Sequence, residues 1–305
     1  LVLFDESSQI PLPNALGALF RSKRALVAGD EQQMAPTNYF GKNFGFHDLL
    51  HQAAYYFEKV PLRHHYRSEN KDLIQFSNTH FYKNELIVYP SVSQKQVLFH
   101  HLITNGIFED RKNTEEAKAI ARFLEAFSHW EDQSLGIVAF SEEQLKAIWS
   151  ECSLRVQELI TTNQDEGKLF FKALENVQGD EADVLVIGLG YGKNPEGDFH
   201  MRFGPLNQSN GYKRLNVLLT RAKKELHFFS SVSSRDFQLS ENESVNLLRK
   251  FLVNLEESQV LKPQTAFPYK LKAEKTDGSN VYFKHIYAKI PDASNLATFH
   301  RVMKQ

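Results

Sequence analysis

The sequence predicts an α/β fold: a mostly parallel sheet with helices on both faces. Two observations carry the prediction. Short continuous apolar runs, the mark of strands buried on both faces, alternate with longer amphipathic segments. Helix-opening signals also fall where those amphipathic segments begin. Asn113-Thr114-Glu115-Glu116 and Ser141-Glu142-Glu143-Gln144 each set a capping side chain ahead of acids near the positive end of a helix dipole.

In chain order, the apolar runs predict strands at 1–4, 25–28, 97–102, 135–139, 169–173, 184–189 and 226–230. The amphipathic segments predict helices over 46–56, 70–82, 114–129, 142–161, 212–222 and 244–256. The aromatic run Tyr55-Tyr56-Phe57 is read as core. After Glu257 the chain turns polar, with Pro263, Pro268 and Pro291, which suits an extension or linker over 258–305.

With 305 residues the chain has room for about two domains. Lys and Arg total 36 against 37 Asp and Glu, so a globally basic nucleic-acid coat is excluded while local basic patches are not. A single cysteine, Cys152, forbids an internal disulfide and fits a reducing compartment, so a cytoplasmic location is expected. No apolar run approaches the ~18 residues of a membrane span, and no membrane partner is expected. The chain opens on an apolar strand rather than a Met, as a fragment of something longer would.

Five segments carry candidate chemistry. Leu1–Phe4 runs straight into Asp5-Glu6-Ser7-Ser8-Gln9. At the carboxyl edge of a parallel sheet, Asp5 can hold a hydrated magnesium ion, and Glu6, pointing the other way, can polarise an attacking water. A solvated strand end is the bland alternative. Ala25–Ala28 is followed by Gly29-Asp30-Glu31-Gln32-Gln33, a second strand ending in a glycine and an acid at the same edge, with Gln33 suited to a terminal phosphate. Arg67 sits just before an amphipathic helix, on the surface unless a phosphate lies opposite. In Gln178-Gly179-Asp180-Glu181, glycine permits close backbone approach, and Gln178 and Glu181 suit a ribose or a nucleic-acid backbone. Finally, Arg214 and Arg221 stand seven apart, and on one helix they would share a face toward phosphates.

Together, in this order and spacing, the segments resemble superfamily 1 helicases of the branch related to Upf-type RNA helicases and Dna2-type DNA helicases. Asp5-Glu6-Ser-Ser-Gln9 is similar to motif II, and Gly29-Asp30-Glu-Gln-Gln33 with Pro36 to motif III. Tyr66-Arg67-Ser68 with the segment to Tyr82 is similar to motif IV, Gln178-Gly179-Asp180-Glu181 to motif V, and Arg214 through Ala222 to motif VI. The phrasing around them further resembles large bacterial helicase-like proteins.

The resemblance implies P-loop NTPase (RecA-like) sheets flanked by helices: the end of a first RecA-like domain in 1–58 and a complete second one in 59–257. It implies ATP and Mg²⁺ as cofactors, with Asp5 on the metal, Glu6 as catalytic base and Gln33 sensing the γ-phosphate. Arg67 and Arg221 would be arginine fingers, suited by a planar fork that stays charged. Glu181 would contact the ribose and Gly179 the nearby backbone, with Gly29, Asp30 and Arg214 on the nucleotide side. Single-stranded nucleic acid, DNA ahead of RNA, would be the partner, along with the missing N-terminal half of the motor.

One departure matters. No Gly-x-x-x-x-Gly-Lys-[Ser/Thr] loop occurs; Gly41-Lys42, Gly167-Lys168 and Gly192-Lys193 are followed by Asn, Leu and Asn. The chain is therefore expected to be inactive alone. Two other readings stay open: a non-catalytic nucleic-acid-binding or interaction module on a helicase scaffold, and a metal-dependent nuclease using Asp5, Glu6 and Asp30. Gly188-x-Gly190-x-Gly192 imitates a dinucleotide fingerprint, but a turn at Asn194–Gly197 follows where that motif needs a helix.

Overall fold

The computed structural model describes residues 1–34, 48–89 and 95–260. The expectations for Pro36, for residues 46 and 47 and for the segment beyond 260 lie outside the described residues. Strand β1 (Val2–Phe4) is followed by helix α1 (Leu12–Leu19), strand β2 (Ala25–Val27) and helix α2 (Leu49–Tyr56). Next come β3 (His64–His65), α3 (Lys71–His80), β4 (Ile87–Val88), β5 (Leu98–Leu102) and the hairpin β6 (Phe108–Glu109) and β7 (Lys112–Asn113). Then follow α4 (Thr114–Ala126), β8 (Leu135–Ala139), α5 (Glu142–Glu151), α6 (Leu154–Asp165) and β9 (Leu169–Ala173). The last elements are β10 (Ala182–Gly188), α7 (Gly211–Leu219), β11 (Ala222–Ser230) and α8 (Glu243–Val260).

Two parallel sheets organise these elements. β1 and β2 pair with each other, Leu3 opposite Leu26. The larger sheet has five strands in the order β5-β11-β10-β8-β9, every pair parallel. Its central strand β10 shows why a continuous apolar run was the right signal. Leu185 and Ile187 face one helical layer with Leu215, Leu218 and Phe251, while Val184 and Val186 face the other with Ile120 and Ile148. All nine side chains are buried, and each such aliphatic contributes about 1.5–3 kcal/mol relative to exposure. The fold is α/β of the RecA-like type.

Caps set the helix boundaries. Asn113 accepts from the Glu116 N–H and Ser141 from the Gln144 N–H, as the sequence signals require. The single helix expected over 142–161 is instead two helices. Cys152 is extended, and Ser153 caps α6 by accepting from the Val156 N–H, an alternative that short hydroxyl side chains offer a helical backbone. The helix expected over 212–222 stops at Leu219, because β11 begins at Ala222 in register with Ala182 of β10. Helix α1 went unread because Pro11, Pro13 and Gly17 look like breakers, yet proline in a first turn forfeits no helical hydrogen bond. Tyr55, Tyr56 and Phe57 are exposed at the end of α2 rather than core, since no described element packs over them.

Candidate functional site

The acid loop is built by backbone pairing at the end of β1. The Ala28 N–H donates to Phe4 O at 2.8 Å and the Ser7 N–H to Ala28 O at 2.9 Å, which stops the strand and throws Asp5 and Glu6 outward. Glu6 adopts a left-handed conformation (φ 49°), a sparsely populated region for a side chain with a Cβ, and opens a short 3₁₀ turn. Asp5 Oδ1 accepts from the Glu6 N–H at 2.9 Å, and the Asp5 side chain is otherwise presented to solvent. Gly29 is accounted for by packing: a Cβ there would stand 3.1 and 3.2 Å from the Ser7 and Ser8 nitrogens and 3.0 Å from the Leu50 side chain.

The acid loop meets residues of the larger sheet. Gln178 Nε2 donates to Glu6 Oε2 at 3.1 Å and lies 3.5 Å from Gln33 Oε1. Gln33 Nε2 in turn donates to Asp30 Oδ2 at 3.1 Å. A second tie runs alongside. The Tyr82 hydroxyl donates to Asp30 Oδ2 at 2.7 Å and accepts from Asn216 Nδ2 at 2.9 Å, while Asn216 also donates to Gln32 O at 3.0 Å. Burial, followed by the Asp30 charge, raises the Tyr82 phenol far above its ordinary range, so it stays a donor. Asp30 is thus fully engaged, its Oδ1 accepting from the Gln32 N–H. No group of three His, Cys, Asp or Glu side chains among the described residues is arranged to hold a metal.

The cations form a cluster of their own. Arg67 Nε donates to Glu181 Oε2 at 2.8 Å, and Lys223 Nζ reaches Glu181 Oε1 at 2.6 Å. Lys223 foremost, with Arg67, holds the Glu181 carboxyl below the usual carboxylate range against a partial burial penalty. Arg221 is 2% exposed, and each of its three nitrogens donates to an oxygen packed around it: Nε to Val217 O at 2.8 Å, Nη1 to Asp180 O at 3.1 Å and Nη2 to Thr220 Oγ1 at 3.0 Å. Burial, then the neighbouring Arg67 charge, brings its guanidinium down to about 10, still a cation at neutral pH, with Glu6 close enough to oppose that shift.

Arg214 and Arg221 do not share a helical face. Arg221 lies beyond the end of α7, where its Nε caps the Val217 carbonyl, while Arg214 donates to Pro205 O and Gln208 Oε1. Gly179 sits at φ +89°, a backbone conformation glycine tolerates, and a Cβ there would meet nothing within 4 Å. Sequence reasoning passed over Tyr82, Asn216 and Lys223 as working residues. Tyr82 and Asn216 stand inside the motif segments and Lys223 just past the last of them, but only the fold shows what they reach.

A hydrated Mg²⁺ suits this donor set better than a caged metal does. Asp5, a solvent-facing carboxylate at a strand end, is the residue that would hold such an ion, with phosphate oxygens and water supplying the other ligands. The acids thus stand at a parallel-sheet rim, set against an amide and arginines from further along an α/β chain of the P-loop NTPase fold class. Comparison with known proteins gives the family. Residues 46–233 match the AAA domain family. The chain is 31% identical over 270 residues to the uncharacterized ATP-dependent helicase MG140 homolog of Mycoplasma pneumoniae, covering 79% of this chain and 24% of that protein. It is 31% identical over 264 residues to the Mycoplasma genitalium protein, covering 77% and 23%. It is 26% identical over 244 residues to the DNA replication ATP-dependent helicase/nuclease DNA2 of Gallus gallus, covering 76% and 23%. The chain belongs to the AAA domain family, within the superfamily 1 helicases of the Upf/Dna2 type. It spans about a quarter of the length of these relatives.

Proposed function

We propose that this chain is the C-terminal motor portion of an ATP-dependent helicase or translocase that moves on single-stranded nucleic acid, DNA ahead of RNA, in a reducing cytoplasmic compartment. Residues 1–58 are read as the end of one RecA-like lobe and 59–257 as the other. The observation that carries the reading is the contact of Glu6 with Gln178, with Arg67, Glu181 and Arg221 grouped beside it. Acid and cation sets from different parts of the chain stand side by side, as phosphoryl transfer requires.

In this reading Glu6 takes the proton of the attacking water and Gln33 orients that water or a terminal phosphate oxygen. Arg67 leaves Glu181 to stabilise charge on the transferring group, and Glu181, so released, accepts from the ribose. Arg221 follows once the lobes close. A bound Mg²⁺ supplies charge neutralisation at the phosphates, and Asp5 is the residue that would hold it. The phosphate cradle comes from a segment outside these 305 residues. The open face of the β1–β2 sheet, with Leu3 62% and Leu26 50% exposed, supports such a partner, because parallel sheets are ordinarily covered on both faces.

The test is nucleic-acid-stimulated ATP turnover in the longest natural polypeptide that contains this chain, with DNA and RNA compared. Turnover lost at least ~100-fold in Glu6→Gln, and none from the 305 residues alone, is expected. Wild-type turnover in Glu6→Gln overturns the reading. The enclosure of Arg221 favours one alternative, a non-catalytic nucleic-acid-binding module on the same scaffold. That alternative predicts nucleic-acid binding without turnover even when a Walker A segment is joined to the N-terminus.

A further inference from the structure

Gln178 sits at the turn between β9 and β10, on the same loop as Glu181, yet its amide faces away from the Arg67–Glu181 cluster and into the acid loop. Its Nε2 donates to Glu6 Oε2 at 3.1 Å and comes within 3.5 Å of Gln33 Oε1. Its Oε1 is buried with no partner among the described residues. A buried acceptor left unmatched argues against packing as the reason for glutamine at this position. Glu6 itself stands in a left-handed backbone conformation, so its carboxylate direction needs support from outside its own loop. The only side-chain hydrogen bond to that carboxylate among the described residues comes from Gln178.

We infer that Gln178 is a positioning residue for Glu6: its amide N–H fixes the carboxylate from a loop 172 positions further along the chain. The inference rests on the reading of Glu6 as the base. It deepens that reading by naming the cross-lobe contact through which the nucleotide loop holding Glu181 reports to the acid loop. A charge-assisted donor at this distance is a directional constraint, and losing it leaves binding intact while the base wanders from line.

Two double-mutant cycles test this, one reading turnover and one reading melting of the 305-residue chain without nucleotide. In the longest natural polypeptide, Gln178→Ala lowers kcat at least ~10-fold with the KM for ATP within about twofold. It adds no further loss in a Glu6→Asp background, whose shortened carboxylate is already out of reach. In the 305-residue chain, Glu6→Ala and Gln178→Ala lower the melting temperature non-additively. Losses that multiply in the turnover cycle, a rise in KM alone, or additive melting shifts overturn the role of Gln178. Turnover that survives Glu6→Gln, or a wild type without turnover, instead overturns the reading of the site itself, and this role with it.

Discussion

Both sheets of this molecule are parallel, but they are finished differently. In the five-stranded sheet, β10 lies between two helical layers and its residues from Val184 to Gly188 are buried on both faces. In the two-stranded sheet, Leu3 and Leu26 stand opposite each other in open solvent, and only the other face, with Phe4 and Val27, turns toward the protein. The difference teaches where stability and chemistry reside. The larger sheet is a closed core, with Arg221 and Lys223 where β11 begins and Arg67 beside them. The smaller carries the acids, and hydrogen bonds to Gln178, Tyr82 and Asn216 tie it to the rest of the chain.

The largest expected contrast is in core substitution. Ile187→Ala in the central strand costs about 3–4 kcal/mol in urea unfolding, by lost transfer energy plus a cavity. Leu26→Ser costs less than about 0.5 kcal/mol in the same chain. A comparable loss for Leu26→Ser breaks the distinction between the sheets. A larger loss for Leu26→Ser in the longest natural polypeptide than in these 305 residues sharpens it, since a covering segment makes the site a core.

Acid separates the two regions next. His101 and His227 hydrogen-bond each other at 3.0 Å and stack on Phe229 and Phe99 respectively, with Phe123 tilted against both, over the edge of the five-stranded sheet. Burial foremost pushes both imidazoles down to about 4. Between about pH 4 and pH 6.5 the unfolded chain binds protons on these rings and the folded chain does not, so stability rises with pH across that window and is fully present above it. Each ring contributes a slope of at most ~1.4 kcal/mol per pH unit. Denaturation as a function of pH should show this slope, and His227→Phe should flatten it; an unchanged slope contradicts the assignment.

The alternation of buried runs made the five-stranded sheet legible, because a strand covered on both faces has no polar side to disguise it. The acid loop was legible too, as carboxylates placed just past an apolar run. What the sequence concealed depends on partners far along the chain. Thr220 and Arg221 continue a helical pattern until the pairing of Ala222 with Ala182 claims them for the approach to a strand. Tyr82 reads as one more aromatic of an amphipathic helix, and only the fold brings its hydroxyl to Asp30, 52 positions away. Ser153 looks like a tolerable helix residue until its side chain caps α6 and reaches Glu125.

The smallest effect concerns that tyrosine. Tyr82→Phe removes the hydroxyl joining Asp30 to Asn216 and costs about 1–2 kcal/mol by chemical denaturation, because both partners stay part-buried. A neutral result means that the Gln178–Glu6 and Asn216–Gln32 hydrogen bonds carry the tie without the hydroxyl.

The account is tested most directly at Arg67, where stability and chemistry part company. Its pair with Glu181 is partly exposed, so Arg67→Ala should leave the fold and its melting nearly unchanged. In the longest natural polypeptide, single-turnover ATP hydrolysis with single-stranded DNA present should fall about 10³-fold in the same variant. Hydrolysis at the wild-type rate by a folded Arg67→Ala protein would contradict the claim that Arg67 and the acids after β1 act on one triphosphate.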